Sequence, residues 1–477
     1  MRAALGLEIR AAAGALEAMR QGEALPSAIA EARQPLPKES WSAVQDMAYQ
    51  AVRQLGLCLR LAELLNNKAP PPEVLAIQVV TLTQLMEGRR PPAIVLDQVV
   101  EACKADINLR FSAGFLNAVM RRFLREQEAL MVQALKSDSA KYTLPSWWID
   151  LLRRDHPQAW QQIIANSGAK SSMTLRVNQR KISLEAYCER LQAQGMLHEV
   201  MTEAVKAPMS SLSPQDAGSA AYPASSALYS TPAIRLIQAV DVLQLPGWTE
   251  GLVSVQDLGA QLAAPLLQVE SGMRVLDACA APGGKAAHLL ESLDCEVTAL
   301  EIDAERAERI EENLHRLGLA SLAKSKTEIK VGDASRPKAW WDGRAYDRIL
   351  VDAPCSASGI VGRHPDIPWL RRRSDIATLS GQQSKILHAL WPLLKPGGKL
   401  LLCTCSVFRD EGEYLLANLL RELPDAELEP LSWQFGTGGL GPTVDIKLGH
   451  LLPTRLPYRE HDGFFYARLK KISPSKK

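Results

Sequence analysis

The chain has 477 residues, of which 47% are hydrophobic and 23% charged, and its formal net charge is +2 at pH 7. That length predicts about two or three domains, and that balance excludes long disorder. A charge so near zero supplies no bulk attraction for nucleic acid, so an RNA partner requires a local basic surface.

The first stretch carries Arg2, Glu8, Arg10, Glu17 and Arg20 among its apolar residues, which breaks a signal-peptide core. No run reaches the roughly 18 apolar residues of a membrane span. Residues 1 to about 140 read as all-helical. Ala, Leu, Glu, Arg and Gln dominate, and apolar residues recur at helical spacing, as in Val52, Leu55, Leu59, Ala62 and in Phe111, Phe115, Val119, Phe123. Breaks fall at Pro35-Leu36-Pro37, at Ala69 to Pro72 and at Pro91-Pro92. Arg121, Arg122 and Arg125 on the last helix form either a solvated face or an RNA-facing strip.

Residues 141–250 change character. A short helix is expected from Leu144-Pro145-Ser146-Trp147-Trp148, a strand at Thr174 to Asn178 and a helix at Leu184 to Gln194. Short strands and turns rich in Ser, Ala and Pro follow. This pattern predicts a small α+β module. It leads through a strand at Leu252 to Val255 into Gln256-Asp257, which starts a helix.

From residue 251 to 477 strand and helix patterns alternate, which predicts a mostly parallel α/β sheet. The expected strands are Arg274–Ala278, Val297–Ile302, Ile329–Gly332, Arg348–Val351 and Lys399–Cys403, with a late aromatic-rich strand at Gly463–Leu469. Helices are expected at Ala304–Leu317 and Ser374–Leu394. The Gly-rich segment 436–453 gives no assignment, and the last lysines read as a frayed basic tail.

The eight cysteines form no paired CxxC motifs, so no zinc site and no disulfide framework is expected; free thiols point to a reducing, cytoplasmic setting. Two of them, Cys355 and Cys405, stand just past the ends of expected strands, each beside a serine, and Asp352 ends the strand before Cys355. In open α/β sheets that edge binds ligands. A lone cysteine is most often a small buried hydrophobe, the reading given to Cys403 inside its apolar run. Two at one edge are chemistry: a thiolate adds to an electron-poor ring carbon, and an adjacent acid donates as charge develops. The first strand of this domain runs into Cys279-Ala280-Ala281-Pro282-Gly283-Gly284-Lys285, a turn of small residues ahead of a helix, neither P-loop nor GxGxxG. With Glu301 at the next strand end it fits a nucleoside cofactor whose ribose hydroxyls meet the acid. Asp333 ends the third strand, as an adenine contact or as a turn cap. Lys285 reads as a carboxylate binder or as a solvated lysine. His364 reads as structural or catalytic; beside it Trp369 and Arg371-Arg372-Arg373 offer a base-stacking ring and phosphate contacts.

DACAAPGGKAAHLLE, LEID, VGDA, VDAPCSASG, RHPDIPWL, LCTCSV and DGFFYARL together resemble the bacterial 16S ribosomal RNA cytosine-5 methyltransferases of the Sun/Fmu, RsmB-like type, over nearly the whole chain. The resemblance implies three domains: an all-α NusB-like RNA-binding domain (1–140), the small α+β module (141–250), and a Rossmann-like class I methyltransferase domain (251–477). It implies S-adenosylmethionine as donor, held by Cys279, Ala280, Ala281, Pro282, Gly283, Gly284, Lys285, Glu301, Asp333 and Asp352. It implies Cys405 as the nucleophile on C6 of a cytosine, Cys355 as the group assisting release, and Asp352 against the base; the family's usual target is cytosine 967 of 16S rRNA. Glu301 stands where the family more often has Asp. The implied partner is 16S rRNA, naked or partly assembled, with no membrane and a monomeric enzyme. The same chemistry on transfer RNA, or a non-enzymatic RNA-binding or antitermination role, are the alternatives.

Overall fold

The computed structural model describes residues 2–206, 228–320, 322, 326–436, 443–446, 449–455 and 460–472. The Ser-, Ala- and Pro-rich stretch 207–227 and the Lys476-Lys477 tail lie outside these described residues; Lys470 and Lys471, read as frayed with that tail, instead end the last strand, Phe464–Lys471, paired with Glu427 and Ala426. The chain forms two compact units, 1–168 with 363–373, and 169–362 with 374–477.

The first unit is helical. Its elements are α1 (Leu5–Arg20), α2 (Leu25–Ala32), α3 (Trp41–Arg53), α4 (Leu55–Leu65), α5 (Pro72–Glu87), α6 (Pro92–Lys104), α7 (Ala113–Ala134), α8 (Asp138–Tyr142), α9 (Ser146–Asp155) and α10 (Trp160–Gly168). The prolines expected to break helices open them instead: Pro72 and Pro92 each occupy a first turn, where the missing N–H costs nothing. Gly88, at φ +66°, closes α5. Ile9, Leu16, Val52, Leu61, Ile77, Val80 and Phe123 are buried in its core. A Cβ on Gly6 would lie 2.1 Å from the Gln98 carbonyl oxygen, so α1 and α6 touch backbone to backbone. Two periodicities read differently in three dimensions. Val52 lies in the last turn of α3 and the other three of its set lie in α4, so the four do not share one helix. Phe111 precedes α7 in a 3₁₀ turn and is 81% exposed, whereas Val119 and Phe123 face the core.

The second unit contains two sheets. Strands β1 (Met173–Val177), β2 (His198–Lys206), β3 (Leu228–Leu236) and β4 (Val253–Val255), with α11 (Leu184–Ala193), form the expected α+β module. Its sheet is antiparallel in the order β12-β11-β2-β3-β1-β4. One of its strands, β12 (Thr443–Ile446), comes from the segment 436–453 that the sequence left unassigned, and another, β11 (Leu431–Gly436), ends at that segment's first residue.

The other sheet follows from α12 (Leu258–Gln261), α13 (Ala263–Leu267), β5 (Arg274–Ala278), α14 (Gly284–Ser292), β6 (Glu296–Glu301), α15 (Ala304–Leu317), β7 (Thr327–Val331), β8 (Tyr346–Asp352), α16 (Ile367–Leu370), α17 (Arg373–Leu390), β9 (Leu394–Thr404), α18 (Glu413–Glu422), β10 (Ala426–Glu429), β13 (Gly449–Leu451) and β14 (Phe464–Lys471). Its order is β10-β14-β9-β8-β5-β6-β7, with β13 also on β14. From β7 to β9 the pairing is parallel; β14 and β10 add antiparallel strands at one side. The wholly buried β5 is what near-continuous apolar runs produce when both faces are covered.

The excursion 363–373, which contains α16, belongs to the helical unit. Asp366 accepts from the Leu25 N–H at 3.1 Å, and Trp369 and Leu370 pack against the helical core. Trp369, read from sequence as a base-stacking ring, is therefore a packing residue.

Candidate active site

The carboxyl ends of β5 to β9 carry the singled-out residues. After β5 the chain turns through Cys279 (φ +61°) and Gly283 (φ +91°) into the first turn of α14. The Ala280 N–H donates to the Leu300 carbonyl at 3.0 Å and ties this turn to β6. At Gly283 a Cβ would lie 3.0 Å from Ile310 Cγ2, on a backbone conformation that favours glycine. Burial, with Asp352 and Glu301 adding, pushes the Cys279 thiol up to about 12, so it is an inert lining group.

Lys285 is not solvated. Its Nζ lies 2.5 Å from Asp352 Oδ2, with side-chain exposures of 13% and 29%. Burial alone would lower this ammonium; Asp352, with Cys403 and Asp277 adding, outweighs it and holds the pKa above the ordinary lysine range. Asp277, on β5 itself, completes the cluster. It is fully buried, neither oxygen meets a donor at good hydrogen-bonding geometry, and Ala286 N–H offers only a weaker contact. Burial, then the Asp352 charge, pushes it up to about 7. Sequence reasoning passed over Asp277 because it sits inside an apolar strand.

Glu301 ends β6 and is 1% exposed. Its Oε1 accepts from Ile302 N–H at 3.0 Å and Asp303 N–H at 3.3 Å, and its Oε2 from Ala281 N–H at 3.2 Å. Half-exposed Arg306 reaches across it, with Nη1 3.4 Å from Oε1 and Nη2 donating to the Ala281 carbonyl at 3.2 Å. Asp333, after β7, accepts from the Ser335 N–H and hydroxyl at 2.8 and 2.7 Å and caps that turn. These bonds hold its carboxyl below the usual range.

The two thiols meet: Cys355 Sγ and Cys405 Sγ are 3.4 Å apart. Backbone bonds bring their loops together. The Gly359 N–H donates to the Cys405 carbonyl at 2.9 Å, and the Gly463 N–H donates to the Gly359 carbonyl at 2.8 Å. A Cβ on Gly359 would fall 2.0 Å from the Gly463 oxygen, so only glycine fits. The hydrogen bond to Cys405, then burial, holds the Cys355 thiol well above its ordinary value. Cys403 is fully buried, as read.

A second residue missed in sequence, Arg176 on β1, ties the α+β sheet to the turn. It is 2% exposed, donates to Glu291 at 2.8 and 2.9 Å and to the Gly284 carbonyl at 2.8 Å, and also bonds Gln256. It thereby fixes the start of α14. Among the helical arginines, Arg122 bonds Glu126 at 3.0 Å and the Leu65 carbonyl at 3.3 Å, while Arg121 and Arg125 are exposed.

Among the described residues, no helix is long and apolar enough to cross a membrane. Residues 264–470 match the family described as 16S rRNA methyltransferase RsmB/F, 144–207 its ferredoxin-like domain, and 7–125 the NusB family. The chain is 38% identical to ribosomal RNA small subunit methyltransferase B of Pasteurella multocida, over 96% of this chain and 94% of that protein. It is 36% identical to the protein of that name from Vibrio cholerae, over 98% and 99%. In fold it is similar to a methyltransferase homolog from Pyrococcus horikoshii (TM-score 0.53, 23% identity, 70% of this chain and 97% of that one). With a helical NusB domain, a ferredoxin-like module and a Rossmann-like catalytic sheet in that sequence, the chain belongs to the 16S rRNA methyltransferase RsmB/F family.

Proposed function

We propose that this methyltransferase moves a methyl group from S-adenosylmethionine to C5 of one cytosine in 16S rRNA, at the family's usual position 967, through a covalent bond between Cys405 and C6. The observation that supports it most is the thiol pair, 3.4 Å apart, at the same sheet edge as Asp352.

The residues at this edge fit the donor. The turn Cys279 to Lys285 presents backbone and the N-terminus of α14, and Glu301 Oε2 retains acceptor capacity for a ribose hydroxyl. Arg306 covers that carboxylate and has to swing aside. Asp333 offers its second oxygen to an adenine amine, and Asp352 closes the site on the base side. When bound, S-adenosylmethionine supplies an electrophilic methyl group on a sulfonium.

The protein's own groups do the rest. The target base leaves its stack, because C6 is out of reach inside a helix. Cys405 attacks C6 as thiolate, and as negative charge develops on the ring a proton passes to it from the Lys285 ammonium through the Asp352 carboxylate it is bonded to. Cys355 keeps its proton while its hydrogen bond to Cys405 stands. Once Cys405 is bonded to carbon, that support is gone. C5, made nucleophilic by that attack, would take the methyl group; Cys355 then gives its own proton to solvent and, as thiolate, takes the C5 proton, the C5–H electron pair re-forms the C5–C6 double bond, and Cys405 leaves as thiolate.

Residues 1–140 and 141–250 are assigned to holding 16S rRNA, naked or partly assembled, and 251–477 to the chemistry, in a monomer. A reducing, cytoplasmic setting belongs to this reading, since the two thiols must stay unjoined. Bisulfite sequencing of RNA from cells with and without the gene tests it. Loss of one 5-methylcytosine from 16S rRNA is expected. Loss from transfer RNA instead would overturn the substrate, and no loss anywhere would overturn the activity.

A further inference from the structure

We propose that Glu411 is a positioning residue for the methyl transfer: its carboxylate terminates a one-way hydrogen-bond chain that locks the Cys355 loop against the Cys405 loop. The inference rests on the two-thiol reading above. Glu411 lies in the 3₁₀ turn Arg409–Glu411 between β9 and α18 and is fully buried. Its Oε1 accepts from the Ser356 N–H at 2.7 Å; its Oε2 accepts from the Ser356 hydroxyl at 2.5 Å and the Ser406 hydroxyl at 2.6 Å. Ser356 follows Cys355 and Ser406 follows Cys405. One carboxylate therefore grips the residue next to each thiol.

The direction of the chain follows from counting protons, since each hydroxyl has one to give. Ser406 gives its proton to Glu411, so it accepts from the Ser358 hydroxyl at 2.9 Å and from Phe408 N–H at 3.1 Å. Ser358 gives its proton to Ser406 and accepts from Val407 N–H at 2.9 Å. Ser356 gives its proton to Glu411 and accepts from Ser358 N–H at 3.3 Å. All three serines are at most 2% exposed, so water is no substitute. Every donor points toward Glu411, and a carboxylate, which only accepts, is the terminus this arrangement requires.

A glutamine of the same shape fails here. With its amide nitrogen at the Oε2 position, it faces two hydroxyls that are already donating, and their chains must reverse against the fixed Val407, Phe408 and Ser358 N–H groups. With the nitrogen at the Oε1 position, it meets the Ser356 N–H donor to donor. The Glu411 charge also acts on the chemistry. Cys355, held high first by its hydrogen bond to Cys405 and by burial, is pushed further the same way by Glu411.

The test uses the full chain and two readouts: steady-state kcat and KM on 16S rRNA, and the Cys355–Cys405 disulfide equilibrium in glutathione buffers, read by alkylation and mass spectrometry. The second reports thiol spacing without any turnover. Glu411→Gln preserves volume, so a space-filling role predicts near-normal values. The proposal expects kcat to fall on the order of 100-fold, KM to stay within about threefold, and the disulfide equilibrium to weaken about tenfold. Values of both within about twofold of wild type would overturn it. Should the Glu411 variants fail to fold, Ser356→Ala and Ser406→Ala each remove one branch and are expected to lower kcat about tenfold; unchanged kcat and disulfide in both would equally overturn it. Cys405→Ala separates the two readings. If it retains turnover, the two-thiol reading fails, and the disulfide equilibrium of the Glu411 variants still decides whether Glu411 sets the spacing.

Discussion

Two clusters stand at one edge of the same sheet and are held by opposite means. Lys285, Asp352 and Asp277 form a buried charge cluster, in which one ammonium serves two carboxyl groups. Cys355 and Cys405 are held by glycine contacts and hydroxyls, and the only charge in that chain is the Glu411 carboxylate at its far end. A charge cluster keeps its geometry only while its charges balance, so pH and single charge deletions act on it directly. The hydroxyl chain balances by donor and acceptor direction. The donor site is thus electrostatically tunable, while the carbon-attacking site is geometrically fixed.

The largest expected effect breaks the thiol side. Cys405→Ala removes the nucleophile and is expected to lower turnover by at least about 10⁴-fold. Cys355→Ala leaves bond formation possible but removes the base for release, so a protein–RNA adduct should accumulate. A slow-migrating band on a denaturing gel that carries labelled RNA checks this. An adduct with Cys405→Ala and none with Cys355→Ala would exchange the two roles.

On the charged side, Lys285→Met strands the buried Asp277 and the partly buried Asp352. Removing one partner of a buried pair costs about 3–5 kcal/mol, because the other charge is left without compensation. Thermal unfolding should show that loss, and the double variant Lys285→Met/Asp352→Asn should recover part of it. If the double variant is no more stable than the single one, the pair is not what holds the cluster.

The contrast also explains what was legible beforehand. Arg274–Ala278 and Ala304–Leu317 are found where the sequence puts them, because a buried parallel strand and an amphipathic helix write their periods locally. The strand-end residues Glu301, Asp333, Asp352, Cys355 and Cys405 follow from the same local pattern. β11 was not legible: it pairs Trp433 with Val205, more than half the domain away in sequence, and no local period records such a partner. Arg176 was only one position of the expected strand Thr174 to Asn178, and its role emerges only with Glu291 brought alongside. Trp369 read as a ligand-facing ring because nothing in RHPDIPWL signals that the segment docks on α1 and its neighbours.

A smaller effect sharpens the electrostatic half. The Asp277 carboxyl rises from 3.8 to about 7 on folding, so the native state keeps a proton that the unfolded chain has lost. Its contribution to stability is full below about pH 4 and is lost as pH rises toward about 7. Lys285, shifted upward, stays charged across this window and does not reverse the sign. Asp277→Asn removes the titration, so its melting temperature relative to wild type should improve from about pH 4 to about pH 7 and level off above that. The span is at most about 4 kcal/mol, from three units at about 1.4 kcal/mol each. A difference independent of pH would mean that Asp277 does not titrate there.

The smallest effect concerns Arg306. It lies across Glu301 as a half-exposed ion pair, and such pairs contribute about 0–1 kcal/mol. If it must move aside before a ribose reaches Glu301, then Arg306→Ala removes that cost, and S-adenosylhomocysteine should bind up to about fivefold more tightly by calorimetry. Glu301 itself remains held by three backbone N–H groups, so its orientation should survive the change. Binding weakened tenfold or more would mean that Arg306 contacts the nucleoside and is part of the donor site rather than its cover. The thiol cluster provides the internal control, because its disulfide equilibrium should be the same in Arg306→Ala as in wild type.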